Sequence, residues 1–439
     1  MKKFYIVILL AIIVLTFLQF NCSSPTAPNN NLTLSVADVS CTEAWLNLST
    51  GSLPLPANIV VNKNGNSFLS LTLTSQDTTL CDSNLSPNQA YTYQAVYGNN
   101  KSETVTAKTM DTTSSNFTFQ TFTFGGNAGS SAFYDCAIAN DTLSYIVGGV
   151  YLEDSTGKPD PQPYNLAIYN GKNWALQKRL FSYKILDPNS IGDTIGITVV
   201  KSLAVFDSKD IWLAAGTIQH WDGTQWQQSQ GEGAGFSNKM WGNSSSILYF
   251  VGGNGTIIRF ANGVWQKLNS LTSLDIQDII GYTNSNQTEI YCIASDLFTA
   301  NGNMVLQING SQVNAVSNKG LPVYSFSSIW LNNPDKAYLA GSGIYINNHF
   351  SNGGTWKELQ PRASNDYLNS IRGNDVNDIV AVGSFGEVVH FNGVRWVSYI
   401  SQTGLSNGEY LSVAIKGNEI IAVGYDGAKA VILMGKRIV

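Results

Sequence analysis

A unit of about forty residues recurs along roughly the last three quarters of this 439-residue chain, and this repeat limits the fold more than any other feature. Each copy has an apolar strand that ends in glycine, a second strand, a tight Asn-Gly or Asp-Gly turn, and usually a tryptophan. The clearest copy runs through Asp378–Gly383, Glu387–Gly393 and Trp396. The turn glycines follow one another at intervals of 39 to 52 residues: Gly171, Gly223, Gly263, Gly310, Gly354, Gly393 and Gly435.

A period near 40–45 residues with about four short strands is typical of one blade of a β-propeller. The seven copies therefore predict seven blades over residues 117–439. Each turn glycine is expected to supply the positive φ that a two-residue hairpin needs. The tryptophan that follows is expected to pack between adjacent blades, as a core residue rather than as a platform for a ligand.

The seventh copy has three strands, and the missing fourth is expected from the other end of the repeat region. Phe117–Phe124 belongs to no copy, so residues 117–124 are predicted to complete the last blade. Such closure removes exposed sheet edges. The aromatic alternation of this strand changes phase between Phe119 and Phe122, which predicts a β-bulge near Gln120.

The repeats resemble the G-x-I-x-x-[DN]-G-x-x-W propellers of bacterial envelope proteins. They also loosely resemble the photosystem II assembly-factor-like and Asp-box propellers. Ser351–Trp356 is nearest to an Asp box, but Asn352 stands where that motif has Asp. The resemblance implies the propeller fold and says little about function.

Residues 31–110 show short alternating runs with a turn about every ten residues, which predicts a small β-sandwich. Trp45 in the second strand and the Leu85–Tyr91 turn resemble the core tryptophan and tyrosine corner of a fibronectin type III module. The resemblance implies that the Tyr91 hydroxyl bonds back to the chain. It also places Cys41 and Cys81 on adjacent antiparallel strands, where a disulfide is expected in an exported protein; two buried thiols are the alternative. Residues 111–116 are the predicted linker.

The N-terminus predicts export. Residues 1–21 have the two lysines and the apolar run of a signal peptide. Cys22 follows, and residues 22–30 are rich in Pro and Asn, an arrangement that resembles a bacterial lipoprotein signal with Cys22 as the lipidated residue. Ser23 after it favours the outer membrane. An uncleaved membrane helix and ordinary signal-peptidase cleavage are the alternatives; each places the folded part outside the cytoplasm.

Composition and motifs exclude several functions. The net charge is −5, with 25 basic and 30 acidic residues, so nothing predicts nucleic-acid binding. Common nucleotide, hydrolase and metalloprotease motifs are absent from the sequence. His220 and His390 hold equivalent repeat positions, which indicates strand residues rather than a metal pair. A glycan-active hydrolase or lyase remains a minor alternative, because the fold sets the spacing of a carboxylate pair.

An insertion in the first copy, Tyr151–Tyr164, is the best candidate for a binding loop; an ordinary solvated loop is the alternative. Its candidate residues are Tyr151, Glu153, Asp154, Asp160 and Tyr164. No cofactor is expected, although these carboxylates offer oxygens of the kind that Ca²⁺ prefers. A second long segment, Phe181–Thr198, is expected near the same face.

The sequence therefore predicts an all-β protein, with a sandwich followed by a closed seven-bladed propeller. The expected function is a non-catalytic, membrane-tethered binding or scaffold protein of the cell envelope. The expected partner is an envelope protein. The alternative partner is a polysaccharide, suggested by 11% aromatic residues and low charge.

Overall fold

The computed structural model describes residues 32–184, 193–229, 237–284, 287–296 and 302–438. The chain divides into two compact units, one up to Met110 and one from Asp111 onward. Both units are built from antiparallel strands, which confirms the all-β prediction.

The first unit is a sandwich of two sheets. One sheet has the order β1-β2-β5; the other has the order β4-β3-β6-β7, with β8 also paired to β6. Asn64 and Gly65, with φ of 51° and 80°, form the hairpin turn between β3 and β4. Trp45 is fully buried. The strands are β1 Thr33–Val39, β2 Glu43–Ser49, β3 Ala57–Lys63, β4 Asn66–Leu73, β5 Asp77–Ser83, β6 Ala90–Tyr97, β7 Asn100–Lys101 and β8 Val105–Lys108.

The second unit is a ring of seven four-stranded sheets, numbered here as blades 1 to 7 in chain order. The strands of a blade are called a to d, with a innermost. Blade 1 is β10 Ala132–Asn140, β11 Leu143–Val150, β12 Tyr164–Tyr169 and β13 Trp174–Gln177. Blade 2 is β16 Ser202–Asp207, β17 Asp210–Ala215, β18 Thr217–Trp221 and β19 Trp226–Ser229. Blade 3 is β20 Ser237–Ser244, β21 Ile247–Gly252, β22 Thr256–Ala261 and β23 Val264–Leu268.

The remaining blades have the same order. Blade 4 is β24 Ile276–Asn284, β25 Gln287–Ser295, β26 Asn303–Asn309 and β27 Gln312–Val316. Blade 5 is β28 Phe326–Trp330, β29 Ala337–Gly341, β30 Gly343–Asn347 and β31 Lys357–Glu358. Blade 6 is β32 Leu368–Asp375, β33 Asp378–Gly383, β34 Val388–Phe391 and β35 Trp396–Ser398. Blade 7 is β36 Gly408–Lys416, β37 Glu419–Asp426, β38 Lys429–Arg437 and β9 Phe117–Gly125. Outside the blades are the hairpin β14 Phe181–Lys184 and β15 Asp193–Gly196, a 3₁₀ turn Phe350–Asn352 and a one-turn helix α1 Ile400–Thr403.

The predicted ring closure is confirmed. Strand β9 pairs antiparallel with β38 as the outer strand of blade 7, from Gly125 opposite Lys429 to Phe117 opposite Arg437. The predicted bulge near Gln120 is wrong, because this register has no shift. The change of phase instead moves the aromatic side chains to the other face of the sheet. Phe117 and Phe119 pack in the core between blades 6 and 7, while Phe122 and Phe124 pack in the core between blades 7 and 1.

The turn glycines are confirmed in part, since Gly354 does not have the predicted positive φ, and the other five besides Gly435 do: Gly171, Gly223, Gly263, Gly310 and Gly393. Asn262 and Gly263, with φ of 49° and 84°, form a two-residue c–d turn. Gly435 is not a turn residue, since it lies inside β38 opposite Phe119. A Cβ atom at Gly435 would come within 2.8 Å of the Phe119 ring, so this glycine admits the aromatic side chain of the closing strand.

The repeat tryptophans pack between blades, as predicted. Trp356 is 2% exposed and belongs to the core shared by blades 4 and 5. The equivalent tryptophans are half-buried against other inter-blade cores: Trp174, Trp226, Trp265 and Trp396. Val313, which replaces tryptophan in blade 4, packs between blades 3 and 4. Each blade is therefore held to its neighbour by its own apolar layer.

Candidate functional site

The connections between strands leave the propeller at two opposite ends. Since adjacent strands are antiparallel, the b–c and d–a connections leave at one end, here called the loop face. The a–b and c–d connections leave at the other end, here called the hairpin face. Residues 151–163 join β11 to β12, and the connection from β13 to β16 contains residues 178–184 and 193–201, so both connections belong to the loop face. Residues 185–192 of the predicted Phe181–Thr198 segment lie outside the described residues.

Exposed apolar side chains concentrate on the loop face. Among the described residues of the propeller, nine large apolar side chains are strongly exposed, and six of them lie in b–c or d–a connections. The six are Leu180, Leu271, Val323, Tyr324, Phe385 and Ile400. The other three lie at the hairpin face: Val264, Val394 and Ile438.

Phe385 is held outward by a strained backbone. Its φ of 56° lies in the left-handed region, which costs an L-residue about 1–2 kcal/mol, and its side chain is 59% exposed. Its N–H donates to the carbonyl of Gly408 at 2.9 Å, and its carbonyl accepts from the N–H of Leu405 at 2.8 Å. Phe385 lies in the b–c connection of blade 6. Its conformation is thus fixed by hydrogen bonds to the d–a connection between blades 6 and 7.

Leu271 repeats the feature between blades 3 and 4. Its φ is 63° and its side chain is 51% exposed. Its N–H donates to the side-chain oxygen of Asn269 at 3.2 Å. Every other described non-glycine residue with positive φ is an asparagine, which tolerates this conformation. Strained backbones of bulky residues are typical of functional loops, and no local sequence signal distinguishes these two residues.

The predicted binding loop lies on the same face. Tyr151 donates its N–H to the Ser131 hydroxyl at 3.0 Å, and Glu153 forms a β-bridge with Pro159 across the loop. Asp154 closes a turn, since its Oδ1 accepts the N–H of Thr156 at 2.7 Å. The hydrogen bonds from Thr156 lower the pKa of Asp154.

The structure brings the other two predicted loop residues together around one cation. Lys178 forms an ion pair with Asp160 and lies 4.9 Å from the centre of the Tyr164 ring. The hydrogen bond from Lys178 lowers the pKa of Asp160. Among the described residues, no group of three or more His, Cys, Asp or Glu side chains is placed to hold a metal ion.

A ring of mostly small polar or charged side chains crosses all seven blades near the start of the a strands. The ring occupies one equivalent position per blade: Asp135, Ser202, Lys239, Asp278, Ser328, Ser370 and Ser412. Five of these side chains accept a backbone N–H from the next blade, at 2.9 to 3.3 Å. These bonds join blades 1 and 2, 2 and 3, 4 and 5, 5 and 6, and 6 and 7, in addition to the apolar layers between the blades.

Two ion pairs involve the charged residues of this ring and join blades that are not adjacent. Arg372 of blade 6 donates to both carboxylate oxygens of Asp278 of blade 4, at 2.7 and 2.8 Å. Lys239 of blade 3 forms an ion pair with Asp135 of blade 1. Burial opposes ionisation of Asp278, but the charge and hydrogen bonds of Arg372 lower its pKa. Asp278 and Arg372 are 94 residues apart in the chain, so the pattern within one strand does not show their pairing. Alignment of the seven a strands would have shown the ring position to which Asp278 belongs.

A cavity of about 290 Å³ lies beside these ion pairs. Its lining comes from the a strands of the blades and includes Asp135, Lys239 and Arg372, together with Trp241, Ile280 and Trp330.

The two predicted strand histidines form matching pairs. The Nε2 of His220 lies 2.8 Å from Asp210, and the Nε2 of His390 lies 2.7 Å from Asp378. His390 also lies 2.9 Å from the Ser115 hydroxyl. Each pair joins strands b and c of one blade, as their equivalent repeat positions indicate.

The cysteine predictions remain predictions. Cys81 lies on β5 opposite Trp45, and Cys41 lies in the connection between β1 and β2. This register does not set the two residues directly opposite each other, so the disulfide depends on the path of residues 40–42. Cys22 lies outside the described residues. Within the described part of the chain, no helix has the length and apolar character needed to span a membrane.

Comparison with known proteins supports the fold. No family model matches the sequence, and no curated protein matches it. A structure of YCF48 bound to D1 peptide is similar, with a TM-score of 0.51, 12% identity, and 73% of this chain and 95% of that chain covered. A catalytically inactive virginiamycin B lyase from Staphylococcus aureus with quinupristin has a TM-score of 0.51 and 11% identity, covering 73% of this chain and 100% of that chain. At these identities the likeness shows the propeller fold alone.

Proposed function

We propose that this protein is a non-catalytic, membrane-tethered scaffold of the cell envelope, and that the loop face of its propeller binds a protein partner. The observation that carries the proposal is Phe385, an exposed aromatic side chain fixed outward in a left-handed conformation. Such strain persists only where the surroundings impose it, and aromatic side chains are enriched at protein interfaces.

The other loop-face features support a protein partner. Leu271 is a second exposed apolar residue with left-handed strain, and Val323 and Tyr324 lie exposed in the next d–a connection. A propeller that binds a polysaccharide is expected to expose a cluster of aromatic side chains near its central channel, which the a strands line. Among the described residues of the propeller, the strongly exposed aromatic side chains are Tyr324 and Phe385, which lie in loop-face connections and not in the channel, so the protein partner is favoured.

The non-catalytic part of the proposal is supported by the two carboxylates at the centre. Asp135 and Asp278 are 1% and 2% exposed, and each is paired with a cation. A general acid or nucleophile needs access to its substrate. These carboxylates are therefore assigned to the framework of the ring.

The tether and the sandwich complete the proposal. Lipidation of Cys22 would anchor the chain to the outer membrane, and the sandwich would act as a spacer of the fibronectin type III kind. In support of that resemblance, the Tyr91 hydroxyl accepts the N–H of Ser86 at 3.0 Å, as a tyrosine corner requires. Labelling with a radioactive fatty acid tests the anchor: label in the wild type and none in Cys22→Ser supports it, and equal label in both contradicts it.

The partner experiment uses the full-length protein with an affinity tag after Val439 as bait on detergent-solubilised envelope. The test variants are Phe385→Asn and Leu271→Asn on the loop face. The matched control is Val394→Asn, which removes an equally exposed apolar side chain, 51% exposed, from the hairpin face.

Stoichiometric capture of one protein by the wild type and by Val394→Asn, with at least tenfold less captured by the loop-face variants, is the expected result. Equal capture by all four proteins would place the interface elsewhere. Capture of polysaccharide without protein would contradict the proposal in favour of the carbohydrate alternative.

A further inference from the structure

The central cavity has one buried end and one open end. The a strands run from the loop face to the hairpin face, and the ring residues Asp135 and Asp278, near their starts, are 1% and 2% exposed. Lys416 also lines the cavity but ends strand β36 and is exposed. The cavity therefore opens toward the hairpin face, opposite the proposed partner surface.

The carboxylates at the buried end have no acceptor capacity left for a ligand. The Oδ1 of Asp135 accepts from Lys239, the Ser412 hydroxyl and the N–H of Cys136. Its Oδ2 accepts from the Ser202 hydroxyl and the N–H of Leu203.

Asp278 is saturated in the same way. One oxygen accepts from Arg372 and from the N–H of Ile279. The other accepts from Arg372, the Ser328 hydroxyl and the N–H of Ile329. A ligand that offered hydrogen-bond donors would find no acceptor on either carboxylate.

The cations at the same end keep donors in reserve. Lys239 donates to Asp135 and Ser412, which uses two of the three donors of an ammonium group. The hydrogen bonds of Arg372 go from its two terminal nitrogens to Asp278, Ser328 and the carbonyl of Ile371, which leaves the Nε donor and one donor of the second terminal nitrogen. With Lys416 at the open end of the cavity, there are three cationic side chains and two carboxylates, so one positive charge is in excess.

The walls are flat and apolar. Trp241 of blade 3 packs on Gly281 of blade 4, where a Cβ atom would lie 2.5 Å from the indole ring. Trp330 of blade 5 packs on Gly373 of blade 6, where the corresponding distance is 2.6 Å. These glycines let the indoles lie against the neighbouring strands. Ile280, Ala414 and Ala137 are among the other apolar residues of the lining.

From this arrangement we infer a second binding site, for a small molecule with a flat apolar body and one anionic group. The body would lie against the apolar wall that includes Trp241 and Trp330, and the anion would accept hydrogen bonds from Lys239 and Arg372. A cavity of about 290 Å³ is at the small end of ligand pockets, which span roughly 300–1,000 Å³, so a one- or two-ring carboxylate is the class of ligand that fits.

The test measures binding of two probes to the full-length protein by isothermal titration calorimetry. The probes are 2-naphthoate and the 2-naphthylmethylammonium cation, which share a ring system and differ in charge. Ala414→Phe fills the cavity, and Ala137→Phe fills it from another blade in case the first variant does not fold. Ala175→Phe, at an exposed position on outer strand β13, is the matched control. Near-ultraviolet circular dichroism checks the fold of each variant.

The expected result is binding of 2-naphthoate at least tenfold tighter than the cation, lost in a folded cavity-filling variant and unchanged in Ala175→Phe. Absence of 2-naphthoate binding, equal affinity for both probes, or unchanged binding in a folded cavity-filling variant would overturn the inference. Because the partner experiment changes only loop-face residues and their hairpin-face control, either proposal can fail without the other.

Discussion

The guanidinium of Arg372 and the carboxylate of Asp278 join the sixth and fourth blades through two parallel hydrogen bonds of 2.7 and 2.8 Å. Their side chains are 16% and 3% exposed. The pair therefore bridges two blades that are not adjacent, close to the centre of the ring. A buried pair of this kind makes each partner depend on the other.

Arg372→Met should destabilise the protein by about 3–5 kcal/mol, because it leaves the buried Asp278 carboxylate without its cation. The double variant Arg372→Met/Asp278→Asn should lose less, since it has no buried unpaired charge. Urea unfolding at pH 7 measures these two variants and the single variant Asp278→Asn. If the double variant is as unstable as the sum of the two single variants, the two side chains are not coupled as the structure shows.

Stability should fall on acidification below about pH 4, near the ordinary pKa of aspartate. Although burial acts in the opposite direction, the pKa of Asp278 is lowered by Arg372, and that of Asp378 by hydrogen bonds from His390 and Arg437. A carboxylate whose pKa is lower in the folded state contributes stability above its unfolded pKa and loses it as the pH falls through the folded pKa.

The measurement is the free energy of unfolding between pH 7 and pH 3 for the wild type and for Asp278→Asn. The variant should show a smaller loss across the acidic range, because one of the responsible groups is gone. An identical pH profile in the two proteins would show that Asp278 does not contribute.

Phe385→Asn should stabilise the protein by about 1 kcal/mol, because asparagine accepts the left-handed backbone at φ 56° with less strain. The same substitution should weaken partner binding, so stability and function should change in opposite directions. Val394 does not have a positive φ, so Val394→Asn should bring no such gain. Thermal unfolding measures the three proteins; a loss of stability in Phe385→Asn would contradict the strain argument.

The repeat made the propeller predictable because its signals are local. Turns like Asn262-Gly263, followed by a tryptophan, recur along the chain, and each copy marks one blade. The closing strand was also predictable, since Phe117–Phe124 had no blade of its own. The bulge prediction failed because it assumed one buried face, whereas both faces of β9 carry aromatic residues into separate cores.

The central site was not predictable in the same way. The pairs Asp135–Lys239 and Asp278–Arg372 each join distant blades, 104 and 94 residues apart, and only the closed ring brings them together. The strain at Leu271 and Phe385 was equally hidden. Neither is a glycine or an asparagine, the residues that normally indicate a positive φ in a sequence. Their backbone conformation is fixed by the connections around them and not by their own conformational preferences.

Ring closure should depend on Phe117, the first residue of β9. Its ring is 5% exposed in the core between blades 6 and 7 and contacts His390 edge-on at a centroid distance of 5.2 Å. Phe117→Ala should therefore cost about 3–5 kcal/mol. Thr121→Ala, at an exposed position of the same strand, should cost less than about 1 kcal/mol.

Hydrogen exchange distinguishes an opened ring from a merely weakened core. Strand β38 is hydrogen-bonded to β9 along its whole length, so loss of closure in Phe117→Ala should speed exchange of the β38 amides that bond to β9 more than that of the inner strand β36. Thr121→Ala should leave both strands protected. Equal acceleration of β36 and β38 would mean that blade 7 opens as one unit, and that β9 is not the first strand to detach.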